Sequence, residues 1–130
     1  MKRKNVVVLG STGSIGRSTA AVLRAHTERF HATGLVARNS LRELAAQAAE
    51  FHPGTVITTD PARLEELKEQ LPPGQACGAG FEAVQKLVTA PETDIVVCAI
   101  VGTGGLEPVI AALRAGKQVA LASKEVLVMA

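Results

Sequence analysis

The apolar run Val6-Val7-Val8-Leu9 passes straight into Gly10-Ser11-Thr12-Gly13-Ser14-Ile15-Gly16, and this junction limits the folds open to the chain more than any other stretch. Valines on both faces leave no polar side to show to water, so Asn5 to Leu9 reads as a strand buried on both sides, as in parallel sheets. A helix pattern follows at once: between Ile15 and Arg24, the apolar Ile15, Ala20, Val22 and Leu23 alternate with Arg17, Ser18, Thr19 and Arg24. Strand, glycine turn and helix open a βαβ unit.

The same alternation continues. Phe30 to Ala37 reads as a strand, and Ser40 stands where it can cap a helix, with Glu43 at capping-box spacing and Leu41, Leu44, Ala45 and Ala48 on one face. That helix should stop near Phe51, before Pro53. Thr55 to Thr58 reads as a third strand, Asp60 as the cap of a polar helix through Leu71, and Pro72-Pro73-Gly74 as a break. A helix over Phe81 to Val88 precedes a strand over Asp94 to Val101. The loop Gly102-Thr103-Gly104-Gly105 then leads into a helix from Leu106 to Ala115, Gly116 ends it, and Gln118 to Ala122 forms one more strand. Repeated strand–helix alternation predicts an α/β fold: a Rossmann-like, doubly wound, mostly parallel sheet with helices on both faces. With 130 residues, 47% of them hydrophobic and Phe the only aromatic type, one aliphatic core in one domain is the expected size.

Several function classes drop out. The net charge of +2 comes from 14 basic and 12 acidic residues spread along the chain, so there is no dense basic patch for nucleic acid. No apolar segment is long enough to span a membrane, and the N-terminus does not read as a signal peptide. Cys77 and Cys98 lack CxxC spacing, which suits a reduced, cytoplasmic protein. His26, His31 and His52 have no carboxylate or cysteine partners at ligand spacing, so no metal site is expected in this chain.

In a strand–turn–helix unit, Gly10 allows the tight turn, Gly13 lets a pyrophosphate approach the backbone, and Gly16 lets the helix pack closely on the strand. The spacing GxxGxxG makes the turn one residue longer than the usual GxGxxG, and no Lys-Ser or Lys-Thr follows, which excludes a Walker A loop. Ser11, Thr12 and Ser14 put hydroxyls beside the free amides of a helix start, where the macrodipole attracts anions; the plainer alternative is a tight corner with no ligand. After the second strand, where NAD-binding folds place a carboxylate, the chain has Arg38, Asn39 and Ser40 and no acid between Phe30 and Arg42. A guanidinium with neutral donors suits a 2′-phosphate, which favours NADPH over NADH. The loop Val101 to Gly105 also leaves a strand at its carboxyl end, a position from which it would line the pyrophosphate and nicotinamide side of the cleft.

GSTGSIG at Gly10–Gly16, CAIVGTGGLEP at Cys98–Pro108 and AGKQVALASKEVLV at Ala115–Val128 resemble, in order and spacing over almost the whole chain, the 1-deoxy-D-xylulose 5-phosphate reductoisomerase family. The family's last motif is typically LANKESLV; here Ser123 replaces its asparagine and Val126 its serine, while Lys124-Glu125 is kept. The resemblance implies that Thr12, Gly13, Ser14 and Ile15 contact the pyrophosphate and adenosine of NADPH, and Arg38, Asn39 and Ser40 the 2′-phosphate region. It also implies that Ser123 and Glu125 face the nicotinamide and that Lys124 faces the substrate. Arg38 sits where the family often has glycine, with its basic residue one place later.

The implied chemistry is rearrangement and NADPH-dependent reduction of 1-deoxy-D-xylulose 5-phosphate to 2-C-methyl-D-erythritol 4-phosphate, in non-mevalonate isoprenoid synthesis. The resemblance also implies that the full-length family is a homodimer that uses a divalent metal, magnesium or manganese. Its metal-binding carboxylates, substrate-phosphate site and lid lie downstream of the Lys-Glu motif. The resemblance therefore implies that residues 1–130 are the NADPH-binding domain, cut before the catalytic domain and inactive alone. The apolar run Val126 to Met129 is expected to lack a partner that buries it. Two alternatives stay open: another NADP-dependent dehydrogenase, such as the aspartate-semialdehyde dehydrogenase class with its nucleophilic cysteine, and a non-catalytic dinucleotide sensor. Cys98, inside an apolar strand, suits the first of these poorly.

Overall fold

The computed structural model describes residues 3–100, 106–122 and 127–129. In chain order the elements are β1 (Lys4–Leu9), α1 (Ser14–Ala25), β2 (Phe30–Ala37), α2 (Leu41–Phe51) and β3 (Thr55–Thr58). A 3-10 turn, Pro61–Arg63, runs into α3 (Leu64–Gln70), followed by β4 (Cys77–Ala79), α4 (Phe81–Thr89), β5 (Ile95–Cys98), α5 (Leu106–Arg114), β6 (Gln118–Ala122) and β7 (Leu127–Met129). The strands form one sheet in the order β4-β3-β2-β1-β5-β6-β7. All neighbours pair in parallel except β6 and β7. The chain builds outward from β1 to β4, then crosses back to β5 on the other side of β1, so the strand order reverses between β1 and β5.

Alternation along β1 divides the core. Val6 and Val8 point to one face, where Leu23 of α1, Leu41, Leu44 and Ala48 of α2 and Leu67 of α3 pack. Val7 and Leu9 point to the other, beneath Val84 and Val88 of α4 and Ala112 of α5. Helices thus cover both faces, and the expected doubly wound α/β architecture is present. The alternation in β2 is broken once: Val6 pairs with Ala32 and Val7 with Gly34, so Thr33 is an extra residue, and its hydroxyl lies 3.4 Å from the Val6 carbonyl.

Local expectations need correction at the start of α2. Ser40 precedes α2 but lies in the left-handed region (φ 48°, ψ 48°) and makes no side-chain cap. Glu43 cannot close a capping box because its carboxylate accepts two hydrogen bonds, each 2.7 Å, from Nε and Nη2 of Arg17 on α1. The half-buried strand β4 escapes the sequence pattern because three residues, Cys77-Gly78-Ala79, are too few to show a period. The run ending in Met129 pairs through its backbone, since β7 lies antiparallel on β6 with Leu121 opposite Val128. Asp60 caps as expected, accepting from the Ala62 N–H at 3.0 Å, but it caps the 3-10 turn ahead of α3. No helix among the described residues is long and apolar enough to cross a membrane.

A second ion pair, Arg24 with Glu50, lies further along the same two helices, and the Arg24 guanidinium sits 5.7 Å from the Phe51 ring centre. Hydrogen bonding from each arginine holds the Glu43 and Glu50 carboxyls below their usual range. Because the native pKa values are depressed, the pairs stabilise the fold above the unfolded glutamate value of about 4.3, and that contribution is lost as pH falls through the native values. At low salt, the Glu43→Gln/Glu50→Gln variant should therefore show a lower urea midpoint than wild type at neutral pH. The difference should close in acid; a pH-independent difference would contradict the pairing.

Candidate functional site

The glycine turn sits where the strand order reverses, which is where ligands enter open α/β sheets. The amides of Gly10 and Ser11 both donate to the Val36 carbonyl of β2, at 2.8 and 3.0 Å, and the Ala99 amide donates to the Leu9 carbonyl at 2.8 Å. The exits of β2, β1 and β5 are thereby tied together. Gly10 turns with φ +81°, and a Cβ there would stand 3.0 Å from the Ala99 carbonyl oxygen. At Gly16 a Cβ would fall 2.1 Å from the Gly10 oxygen and 2.6 Å from the Ser11 carbonyl, so α1 can approach the turn this closely only with glycine there.

Gly13 differs. Its φ of −73° and ψ of 172° suit any residue. A Cβ there would have only the Gly10 oxygen near it, at 3.8 Å. Nothing inside the described chain requires glycine at this position. The amides of Ser14, Ile15 and Gly16 have no acceptor among the described residues, and the first turn of α1 carries no acidic side chain. These are the free donors and the positive dipole end that bind phosphate. Gly13 and Ser14 are exposed and Ile15 is half-buried, while Thr12 is buried beneath the lip.

Two side chains that sequence patterning did not single out complete the region. Gln47 of α2, only 8% exposed, donates from Nε2 to the Ser11 carbonyl at 2.9 Å and holds the turn from behind. Its one signal is a polar residue on the face shared with Leu44 and Ala48. The Ser11 hydroxyl and Gln47 Oε1 are buried with no partner among the described residues. Arg63, after β3, donates from Nη1 to Asn39 Oδ1 at 3.4 Å. It joins Arg38, Asn39 and Ser40, which are all exposed at the carboxyl end of β2.

Ser123, Lys124 and Glu125 and the loop Val101 to Gly105 lie outside the described residues. Cys98 is buried in β5 and Cys77 is half-buried, so neither presents an open thiol for nucleophilic chemistry. Among the described residues, no three His, Cys, Asp or Glu side chains gather to hold a metal ion.

Sheet order, two helical layers and a glycine-lined helix start at the reversal point define a Rossmann-like α/β domain. Residues 6–130 match the family model of 1-deoxy-D-xylulose 5-phosphate reductoisomerase, and the chain belongs to that family. It is 45% identical over 127 residues to the reductoisomerase of Nitrosococcus oceani, covering 95% of this chain and 32% of the relative. It is 46% identical over 135 residues to that of Dechloromonas aromatica, covering 99% and 33%. The Zymomonas mobilis reductoisomerase solved in complex with NADPH superimposes with a TM-score of 0.87 at 34% identity, covering 95% of this chain and 33% of that one. The chain thus spans about a third of the length of these relatives and corresponds to the N-terminal region of the family.

The two helix-side glycines should respond oppositely to alanine. Gly16→Ala forces backbone apart and should cost at least about 2 kcal/mol. Gly13→Ala should leave the urea midpoint near wild type. Equal losses from the two would show that Gly13 is also a packing residue.

Proposed function

We propose that this chain is the NADPH-binding part of a 1-deoxy-D-xylulose 5-phosphate reductoisomerase. The observation that carries the reading is Gly13: an exposed residue with no internal need to be glycine, beside three unpaired amides at the switch point. The turn fits a pyrophosphate, with the amides of Ser14, Ile15 and Gly16 as donors and Gly13 giving the anion room to reach them. Arg38, Asn39 and Ser40 would hold the 2′-phosphate side, where no carboxylate stands between Phe30 and Arg42 to repel it.

When bound, NADPH supplies the hydride for the family reaction. The chain's own contribution is to hold and orient the dinucleotide along the carboxyl edge of the sheet. In the family pattern, Ser123 and Glu125 would face the nicotinamide and Lys124 would hydrogen-bond oxygen atoms of the deoxyxylulose phosphate. A relative has been solved with NADPH, fosmidomycin and magnesium together. The described residues offer no cluster for such a cation. On this reading, residues 1–130 form the dinucleotide domain of a cytoplasmic, homodimeric enzyme, and catalysis needs a catalytic domain as well.

The chain has no Trp or Tyr, so nicotinamide fluorescence can be followed on titration with NADPH and NADH without protein background. NADPH should bind more tightly. Arg38→Asp should weaken it about tenfold or more by exchanging a charge-assisted contact for repulsion. Gly13→Ala should weaken both dinucleotides. Tighter NADH binding, or binding of neither, would overturn the assignment.

A further inference from the structure

We propose that Arg63 is a second cationic contact for the ribose 2′-phosphate and, with Arg38, sets the preference for NADPH. This rests on the dinucleotide reading above and extends it to a residue on a different strand exit. The exit of β3 is latched to the Arg38 segment: the Thr59 amide donates to the Ala37 carbonyl at 3.0 Å, and the Thr58 hydroxyl to the Arg38 carbonyl at 3.3 Å. The 3-10 turn capped by Asp60 then carries Arg63 back toward Asn39.

The guanidinium is already oriented. Its Nε and Nη2 face Glu66 Oε1 and Oε2 at 3.3 and 2.8 Å. An arginine has five N–H donors; Glu66 takes one from each of those nitrogens, which leaves one on Nη2 and two on Nη1. One Nη1 donor is spent on the neutral Asn39 oxygen at 3.4 Å, at the long limit for a hydrogen bond, so a phosphate dianion can displace it. An exposed i,i+3 pair such as Arg63–Glu66 adds little to stability, but it does fix which edge of the fork faces the loop.

Local charge explains why one arginine is not enough. Glu66 and Asp60 both stand near Arg63, so Arg38 and Arg63 together bring the region only to neutrality before a dianion arrives. The Asp60 carboxylate is turned onto the Ala62 amide, and that of Glu66 onto the far edge of the guanidinium. Both are occupied, which leaves the Asn39-facing edge to the ligand.

The test is titration of the chain with NADPH and NADH for wild type, Arg63→Gln, Arg63→Lys, Arg38→Asp and, as a distant control, Arg114→Gln. Arg63→Gln should weaken NADPH about tenfold, leave NADH within about twofold, and Arg63→Lys should restore part of the loss. Arg114→Gln should change neither. An unchanged NADPH-to-NADH ratio in Arg63→Gln, beside a collapsed ratio in Arg38→Asp, would overturn the role of Arg63 and leave the dinucleotide reading intact. Equal weakening of both dinucleotides would make Arg63 a structural residue only. Failure of wild type to prefer NADPH would overturn both readings together.

Discussion

The contact on which the carboxyl edge of the sheet depends is that between the first turn of α1 and the backbone of Gly10 and Ser11. The missing Cβ of Gly16 lets the helix axis approach until its free amides lie beside the exit of β1. Displacing the helix would carry away both the amides and the positive end of the dipole, because these belong to the backbone. Gln47 braces the same turn from the neighbouring helix α2 through the Ser11 carbonyl. The position of these free amides is therefore a property of close backbone packing, with few side chains involved.

Strand exits set the second half of the site. Hydrogen bonds from the turn to Val36 and from Thr59 to Ala37 join the ends of β1, β2 and β3. The glycine turn and the Arg38–Ser40 segment are thus tied to adjacent strand ends of one sheet. The ion pairs between α1 and α2 lie on the outer surface of one helical layer, where screening limits their energy. Their effect is to orient the two helices whose starts flank the site.

Much of this was legible along the chain. The buried β1, the glycine turn, the acid-free exit of β2 and the run of alternating elements all depend on neighbours in sequence, so periodicity and residue type reported them. Glu43 shows where such reasoning fails: capping-box spacing is a local signal, yet Arg17 on another helix takes the carboxylate. Strand β4 is too short to carry a pattern, and β7 exists as a strand through its pairing with β6. Gln47 and Arg63 look like an ordinary helix polar residue and an ordinary surface cation until the fold brings them to Ser11 and Asn39.

Residue order alone thus pointed to the fold class and to the free amides of the first turn, because burial on both strand faces and a glycine-rich helix start are consequences of local covalent pattern. Sheet order, the crossing from β4 to β5 that reverses the strand order beside β1, and the meeting of Arg63 with Arg38's loop were decided in three dimensions. They join residues on separate strands, and contacts of that kind are selected by packing the whole core at once rather than by the preferences of any one segment.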